Sequence, residues 1–318
     1  MAYFVRRLSL LMVTVFLVSF ITFAVFQIIP GDPIRIMLGP EADEARVETL
    51  EQQLGLDQPL ITQYGNWMSG VFTGDLGDSI RFSRPVSELI ADRLPVTLYL
   101  AFLSIAIVIM VTIPLGIYIA KRPNTLQDLV LSSVTQVGMA IPSFWLGMLL
   151  MLGLGMTFQF FSISGYVPWS ESITGAFGSL LLPAITIAIP QIAISFRYIR
   201  NTILEQLQLD YVRTIRSKGI TERAVMYKHV LRNAMIPILT VFGLIFAEVV
   251  AGTIIVEQVF GLPGFGSLLI TSISYRDFPL IQGIVMYITI VVVVINFVID
   301  MLYAILDPRI RLGEGVGQ

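Results

Sequence analysis

Six runs of apolar residues, each long enough to cross a lipid bilayer as a helix, constrain the fold of this chain most. A hydrocarbon core takes about 20 consecutive helical residues. The six runs span approximately residues 8–29, 96–120, 133–161, 179–199, 236–256 and 280–306. Because 55% of the residues are hydrophobic and only 13% are charged, against about 25% in soluble proteins, the bilayer must be the solvent. The sequence therefore predicts an all-α integral membrane protein with six transmembrane helices.

Two of these runs differ from simple spans. The third is too long for one straight crossing, and Pro142 inside it predicts a kink or a lead-in segment at the membrane interface. The first follows a basic start between Met1 and Arg7, which also occurs in cleaved signal peptides. Signal peptides have shorter apolar regions, of about 7–15 residues, so we interpret the first run as a retained span.

The positive charges beside the spans predict the orientation of the chain, because Lys and Arg are enriched in cytosolic loops. One side of the predicted membrane receives 14 of the 20 Lys and Arg, and the other side receives six. The side with the larger number is predicted to be cytosolic. Six spans place both termini on that same side, so the number of spans and the charge distribution agree.

The segment between the first two spans, residues 30–95, is predicted to be the largest external region. Its eleven Asp and Glu against five Arg give a net charge of −6. It is too apolar for a disordered linker, and we expect short helices at residues 41–54 and 57–70. This region is either a lid over the external ends of the spans or a docking surface for a soluble partner, and the sequence favours neither.

The predicted organisation has four parts. Residues 1–29 form an N-terminal transmembrane helix, and residues 30–95 form the external region. Residues 96–306 form a core of five transmembrane helices, which includes a cytosolic loop at residues 200–235. Residues 307–318 form a cytosolic tail.

A basic interruption between spans four and five, residues 197–232, is the main departure from the apolar pattern. It holds eight of the chain's Lys and Arg with three acids, a net charge of +5. A short helix over residues 205–218 is predicted to stop at Gly219, where a left-handed residue is expected. Thr221 is placed to cap a second helix, which enters span five near Pro237. Attraction to anionic lipid would explain the charge alone, but a helix–glycine–helix form continuous with two spans favours a device that holds a partner. We call residues 197–232 the elbow.

Two stretches of the elbow carry a specific pattern. They are Asp210-Tyr211-Val212-Arg213-Thr214 with Arg216-Ser217-Lys218-Gly219, and His229-Val230-Leu231-Arg232-Asn233-Ala234-Met235-Ile236-Pro237. A glycine with a proline 18 residues later closes the pattern. The segment resembles the EAA loop of binding-protein-dependent ABC importer permeases, and specifically the oligopeptide, dipeptide and nickel permease subfamily. Arg213, Thr214 and Ile215 stand at the Glu-Ala-Ala positions, and Ile215 replaces a usual alanine, which could alter the local fit to the partner.

The resemblance extends across nearly the whole chain, because further family motifs follow in the expected order and spacing. They are Pro30-Gly31-Asp32-Pro33, Leu54-Gly55-Leu56-Asp57, Gly74-Asp75-Leu76-Gly77, Ile141-Pro142-Ser143-Phe144-Trp145, Glu257, Phe260-Gly261-Leu262-Pro263-Gly264-Phe265-Gly266, Arg276-Asp277-Phe278-Pro279 and Asp307-Pro308-Arg309-Ile310-Arg311. Each motif alone is a weak indication of the family, whereas their order and spacing together are specific to it.

The resemblance implies the type I importer fold, in which two permease subunits form one pathway. It also implies that each subunit presents a short cytosolic helix, the coupling helix, to a groove on an ATPase subunit. The coupling residues expected in this chain are Leu209, Asp210, Tyr211, Arg213, Thr214, Arg216, Ser217, Lys218 and Gly219.

The partners implied by the resemblance are a second homologous permease, two ATPase subunits, an external substrate-binding protein and the bilayer, with no nucleic acid. The chain has no Gly-x-x-x-x-Gly-Lys-Ser/Thr loop, so ATP and Mg²⁺ are expected on the ATPase chains and no cofactor or metal on this one. We expect a transport subunit rather than an enzyme, in a bacterial or archaeal cytoplasmic membrane. Peptides are favoured as cargo, with nickel or another small solute as the alternative.

Three polar side chains fall inside the predicted spans. Glu248 lies near the middle of span five, where a charge costs about 2.5–3.5 kcal/mol, so it is expected to face protein or water. It either lines the pathway, where it would favour the amino group of a peptide, or makes a contact between helices. Asn296 and Asp300, one turn apart in span six, are more typical of helix contacts, and Asn296 is retained as a second pathway candidate.

Two other classes of protein remain open. A secondary transporter or channel would work without ATPases and would need paired broken helices; Pro114, Pro142, Pro183 and Pro190 could break helices, but kinks are common in membrane helices. An intramembrane enzyme is disfavoured, because the chain has no cysteine, one histidine and no His-Glu-x-x-His or nucleophile–base pattern. The one histidine, His229, is predicted to have a docking or surface role.

Overall fold

The structure is a computed structural model that describes residues 2–28, 34, 43–158, 161 and 164–306. These residues are mainly helical, and one isolated antiparallel bridge joins Asp78 to Pro85. The predicted all-α architecture is confirmed. The motif at residues 30–33 and the predicted tail at residues 307–318, with its motif at 307–311, lie outside the described residues.

Helices of very different length build the chain. In order they are α1 (Ala2–Ile28), α2 (Glu44–Leu54), α3 (Leu60–Thr73), α4 (Val86–Ala120), α5 (Leu126–Ala140), α6 (Ser143–Leu150), α7 (Ile173–Gln208), α8 (Asp210–Ser217), α9 (Glu222–Ala224), α10 (Leu231–Phe260), α11 (Phe265–Ser274) and α12 (Phe278–Leu306). Two π-helical segments, π1 (Met151–Gly155) and π2 (Val225–Val230), directly follow α6 and α9. Because π2 runs into α10 without a break, α9, π2 and α10 form one continuous helical rod.

Five unbroken helices are long and apolar enough to cross a bilayer. They are Phe4–Ile28, Val86–Ala120, Ile173–Gln208, Glu222–Val250 and Phe278–Ile299. These correspond to predicted spans one, two, four, five and six. Length and composition allow up to seven spans in the described part of the chain if bent helix pairs are included, so the predicted six lies within this range.

The predicted third span is not one helix. It is a bent pair, Leu126–Ala140 and Ser143–Gly155, whose axes differ by 103°. Ile141 and Pro142 between them have extended backbone, with ψ values of 121° and 135°. Proline lacks the N–H that an unbroken helix needs and disfavours helical backbone in the preceding residue, which explains the break. The predicted disruption at Pro142 is confirmed, and the helix before it begins at Leu126, seven residues before the predicted start of the third span.

Several helices extend beyond the apolar runs that predicted them. Helix α4 begins at Val86, ten residues before the predicted start of span two, and α7 runs from Ile173 to Gln208 rather than over residues 179–199. A count of apolar residues detects only the part of a helix that crosses hydrocarbon, and polar helical extensions escape it. The predicted domain boundary after Pro95 stays a prediction, although α4 runs through it without interruption.

The two short helices expected in the external region are present. Helix α2 ends at Gly55, whose φ of +66° is the left-handed conformation that glycine favours, and α3 begins directly after Pro59. Tyr64 of α3 bonds to Ser19 of α1, with 2.8 Å between the two hydroxyl oxygens. Its ring also lies 5.4 Å from that of Phe23, between ring centroids. Helix α3 is therefore packed against the first span.

Contacts divide the described residues into two compact units. The first unit comprises residues within 1–95 and 263–297. Its core is built from the starts of α4 and α12 together with α11: Val86, Leu89, Ile90, Phe265, Leu268, Leu280 and Ile284. Gly283 allows close approach here, because a Cβ atom on it would lie 2.5 Å from Val86 Cγ1.

The second unit comprises residues within 96–262 and 298–318. Helix α7 is its most buried element, and many of its buried positions are small, including Ala176, Gly178, Ala184, Ala188 and Ala193. Small residues let the backbones of membrane helices approach closely. Gly116 of α4 acts in the same way, because a Cβ atom there would lie 2.5 Å from Ile199 Cγ2. The elbow belongs to this unit.

Candidate functional site

The elbow starts with a break between α7 and α8. Leu209 separates them with extended backbone, at φ −71° and ψ 148°. The predicted single helix over residues 205–218 is therefore wrong in its first four residues, which continue α7. The Tyr211 hydroxyl donates a hydrogen bond to Oε1 of Gln206 across the break, with 3.0 Å between the oxygens. This bond links the short helix to the end of the fourth span.

Helix α8 is anchored by one side chain and exposes most of the others. Val212 is fully buried, whereas Leu209 is 46% exposed despite its apolar side chain. Tyr211 is half-buried. The other predicted coupling residues are all exposed: Asp210, Arg213, Thr214, Arg216, Ser217, Lys218 and Gly219. The structure thus brings the nine predicted residues together on one short, outward-facing helix and its end, although their coupling role stays a prediction.

The turn that ends α8 requires glycine for its backbone conformation. Gly219 has a φ of +73°, as its predicted place at the helix end demands. Its N–H donates to the carbonyl of Arg216 at 2.9 Å. A Cβ atom at this position would meet nothing within 4 Å. The requirement is therefore conformational rather than steric.

An ion pair crosses the turn. Arg216 donates from Nε and one terminal nitrogen to the two carboxylate oxygens of Glu222, at 2.8 and 3.1 Å. Both side chains are largely exposed, so the pair orients the two limbs more than it stabilises them. Thr221 occupies the predicted N-cap position with extended backbone, but its hydroxyl makes no cap hydrogen bond. Its carbonyl instead accepts from the Val225 N–H at 2.9 Å.

The second limb of the elbow leads directly into span five. Helix α9, π2 and α10 are continuous, and Val225, Met226 and Val230 are buried in π2. His229 is half-buried in the same segment, and Pro237 lies inside α10. The predicted continuity of the elbow with spans four and five is confirmed. Only Leu209 separates α8 from the end of span four, and the turn at residues 218–221 joins α8 to the continuous helix that leads into span five.

Two further contacts brace the elbow against neighbouring helices. Asp128, near the start of α5, accepts hydrogen bonds from Nε and a terminal nitrogen of Arg200 on α7, at 2.6 and 2.5 Å. Its side chain is only 5% exposed, and that of Arg200 is 19% exposed. The Lys121 ammonium at the end of α4 lies 4.6 Å from the centre of the Tyr227 ring in π2. Sequence reasoning missed both contacts, since nothing in the spacing pairs positions 128 and 200.

The two pathway candidates lie on exposed helix positions. Glu248 is exposed on α10, on the same side as exposed Leu244 and Thr240, one and two turns earlier. Asn296 is exposed on α12 in the other unit. The Asp300 side chain lies outside the described residues. Within the described ranges, no three His, Cys, Asp or Glu side chains are grouped as a metal site requires.

The fold is shared with a solved transporter. The chain matches a subunit of the MetNI methionine ABC transporter, in an inward-facing structure, with a TM-score of 0.56 and 17% sequence identity. The match covers 69% of this chain and 96% of the MetNI chain. At this identity the likeness concerns the fold alone, and it confirms the predicted type I importer permease fold.

Curated relatives match over nearly their full length. A relative from Brucella abortus (strain 2308), named as a peptide transport system permease protein, is 40% identical over 310 residues, covering 98% of this chain and 99% of the relative. The oligopeptide transport system permease protein AppB of Bacillus subtilis is 38% identical, with 98% and 99% covered. The glutathione transport system permease protein GsiC of Escherichia coli O6:H1 is 38% identical, with 97% and 98% covered.

Two family descriptions cover nearly all of the sequence. Residues 1–101 match the N-terminal part of membrane components of binding-protein-dependent transport systems. Residues 112–312, which include the elbow, match the inner membrane component of such systems. The resemblance found in the elbow motifs thus extends to the whole chain. This protein therefore belongs to the family of inner membrane components of binding-protein-dependent transport systems.

Proposed function

We propose that this chain is one permease subunit of an ABC importer that takes up peptides. The relatives described above are named as peptide, oligopeptide and glutathione permeases, and those names favour peptides over nickel. In this proposal a second homologous permease completes the pathway, and a soluble external protein delivers the peptide. Two separate ATPase subunits supply the energy on the cytosolic side, where both termini of this chain lie.

The form of α8 carries the proposal for coupling. An eight-residue helix with one fully buried anchor, Val212, exposes most of its other side chains at the end of the fourth span. Arg213, Arg216 and Lys218 on this surface would meet carboxylates of a partner, while Leu209 offers an exposed apolar contact. A partner groove that covers α8 would bury this apolar side chain and pair these charges. An ATPase subunit is the partner that the family's energy source requires.

Coupling then follows from the continuity of the elbow. ATP binding would bring the two ATPase subunits together and move the grooves that hold the coupling helices. The Gly219 turn joins the two limbs of the elbow, and the Arg216–Glu222 pair orients them. Spans four and five would therefore move as levers and shift the pathway between inward-open and outward-open states. ATP can shift this balance only because the ATPases bind it more tightly in one state than in the other.

Glu248 and Asn296 are proposed to line the pathway. An ionised carboxylate facing hydrocarbon is costly, so the exposed face of α10 that carries Glu248 must be covered by protein or water in the assembled transporter. A carboxylate there would favour the amino group of a passing peptide. Replacing Glu248 with Gln should lower uptake of peptides with a free amino terminus relative to acetylated ones. If the wild type and the Glu248→Gln variant take up free and acetylated peptides in the same ratio, Glu248 does not line the pathway.

A backbone substitution at the turn tests the coupling role. Gly219→Pro cannot adopt a φ of +73°, since proline is fixed near −65°, and it also loses the N–H that donates to Arg216. The assembled transporter is reconstituted in liposomes, and ATP hydrolysis and peptide uptake are measured on the same preparation. We expect normal membrane insertion, with ATP hydrolysis no longer linked to uptake.

Gly74→Pro is the matched control. Gly74 also has a positive φ, of +83°, its N–H also ends a helix by bonding to a carbonyl, and a Cβ there also meets nothing within 4 Å. It lies in the predicted external region and should leave the ratio of uptake to hydrolysis unchanged. Normal peptide-stimulated hydrolysis and uptake in the Gly219 variant would contradict the coupling role.

A further inference from the structure

A fully buried carboxylate organises a loop of the first unit. Asp277 accepts hydrogen bonds from the Ser79 hydroxyl, from the N–H groups of Ile80 and Arg81 at 3.2 and 3.0 Å, and from the Leu280 N–H at 3.3 Å. Asp277 is 0% exposed and Ser79 is 2% exposed. One side chain therefore fixes the loop before α4 to the turn between α11 and α12.

The loop held in this way is stiff and strained. The Ser79 N–H donates to the Arg84 carbonyl at 2.9 Å, and the Ser83 N–H donates back to the Ser79 carbonyl at 3.0 Å. Ser83 and Arg276 both have positive φ, of +50° and +53°, although neither is glycine. Such backbone costs about 1–3 kcal/mol per residue and persists only where surrounding contacts enforce it. Strain of this kind clusters at active sites, ligand clamps and switch regions.

The strained loop presents an aromatic and cationic surface. Phe82 is 38% exposed and Tyr275 is 49% exposed. The Arg81 guanidinium lies 4.3 Å from the centre of the Tyr275 ring, so this cation is held over an aromatic face. Exposed Ser83 completes the surface. We call Arg81, Phe82, Ser83 and Tyr275 the tip.

The charged start of α4 separates the loop part of the tip from the lipid. Arg84 donates to exposed Glu88 and Asp92, at 3.2 and 3.1 Å, so this turn of the helix lies outside the hydrocarbon. Six helical steps from Asp92 back to Val86 cover about 9 Å. The headgroup layer adds only about 5–8 Å on each side of the hydrocarbon. Phe82 lies in the loop before this charged turn, within the predicted external region, so its exposed ring is available to a soluble partner.

We propose that the tip is a docking site for the soluble substrate-binding protein. This inference rests on the proposed function, and it resolves the choice between a lid and a docking surface for this part of the external region in favour of docking. Aromatic and arginine side chains in a fixed arrangement are the residue types that dominate binding energy at protein interfaces. The partner surface would supply an apolar recess for Phe82 and a carboxylate for Arg81.

A titration with the binding protein, followed by ATP hydrolysis, tests the docking role of the tip. The assembled transporter in nanodiscs receives increasing amounts of the binding protein encoded beside the permease, loaded with a mixture of short synthetic peptides. For an Arg81→Ala, Phe82→Ser double variant, we expect the binding-protein concentration that gives half-maximal hydrolysis to rise by about tenfold or more. The maximal rate and the hydrolysis without binding protein should stay unchanged, because the tip acts only in docking.

Two further variants make the result specific. Phe72→Ser removes another exposed aromatic side chain, 71% exposed on α3, and should leave the half-maximal concentration unchanged. Asp277→Asn keeps the size of the clamp while losing one acceptor oxygen, and it should raise the half-maximal concentration without touching the tip itself.

The outcomes separate this inference from the proposed function. If the half-maximal concentration is unchanged in the double variant while the wild type is stimulated normally, the docking role of the tip is wrong and the proposed function stands. A lower yield of assembled transporter would assign the tip to contact between subunits and also overturn it. If the binding protein does not stimulate ATP hydrolysis by the wild-type assembly, both the proposed function and the docking role of the tip are wrong.

Discussion

Two buried aspartates hold the two units of this chain in different ways. Asp128, in the unit that contains the elbow, faces the charged guanidinium of Arg200 from another helix. Asp277, in the unit that contains the tip, faces one hydroxyl and three backbone N–H groups. The first carboxylate is neutralised by an opposite charge, whereas the second is solvated by neutral donors in place of water.

The difference shows what each contact can do. An ion pair between helices distant in sequence ties α5 to α7 and leaves a buried charge behind when either partner is removed. A carboxylate that accepts backbone N–H bonds fixes the shape of a loop and leaves only neutral groups behind. The first contact therefore braces the elbow against α5, and the second fixes the shape of the tip. This comparison ranks the effects of substitutions.

The largest loss of stability is expected from Asp128→Asn. This change leaves Arg200, which is only 19% exposed, without its counter-charge. Breaking a buried pair from one side costs about 3–5 kcal/mol. Unfolding of the purified protein in mixed detergent micelles measures the loss. A double variant, Asp128→Leu with Arg200→Met, serves as control and should recover most of the stability, because no unpaired charge remains. A double variant as unstable as the single one would contradict the ion-pair account.

A smaller loss is expected from Asp277→Asn. The donors that surround this side chain are neutral, so the cost should be about 1–3 kcal/mol, measured in the same unfolding experiment. Ser79→Ala removes only the hydroxyl donor and should cost less. If Asp277→Asn proved as damaging as Asp128→Asn, the distinction between the two aspartates would fail.

Substitutions in the left-handed turns of the two units should have different effects. Gly219→Ala forces a side chain into a φ of +73° and should cost about 1 kcal/mol of stability. Ser83→Gly relieves strain at a φ of +50°, but glycine gains freedom in the unfolded chain, so the two effects should leave stability nearly unchanged. The same freedom should loosen the tip and weaken docking. Unfolding and binding-protein titration on each variant check both expectations. Docking that is weakened in the Gly219 variant and unchanged in the Ser83 variant would contradict the assignment of the docking role to the Ser83 turn.

The smallest effect is expected from Arg84→Ala. Arg84 pairs with Glu88 and Asp92, and all three side chains are about half exposed or more. Exposed pairs of this kind contribute little, so we expect no measurable change in the unfolding midpoint. A clear drop would show that the start of α4 is braced by charge in the same manner as the elbow.

The sequence predicts the features of this fold that depend on local chemistry. Apolar runs identify the membrane helices, Gly219 marks the end of α8, and Pro142 marks the break between α5 and α6. The break at Leu209 was missed, because neither glycine nor proline marks it. The angle of 103° at Pro142 also lay beyond prediction, since packing of the two helices sets it.

The contacts that brace the functional regions depend on distant parts of the chain. Asp128 and Arg200 are 72 residues apart, and Ser79 and Asp277 are 198 residues apart. Helical periodicity and turn chemistry act over a few residues, so they place each side chain on its helix without naming its partner. The predicted coupling residues are different, because their positions follow directly from one short helix and its glycine.

Cross-linking of α8 tests the coupling role most directly. The chain contains no cysteine, so Ser217→Cys introduces its single thiol, at an exposed position on the predicted coupling helix. The transporter is assembled with its ATPase subunits and treated with a short thiol-to-amine cross-linker, and the adducts are identified by mass spectrometry. We predict an adduct between this chain and an ATPase subunit, whose yield changes when ATP is bound, and none from a Ser69→Cys control on α3. Absence of an ATPase adduct at position 217, or an equal yield from position 69, would contradict the account.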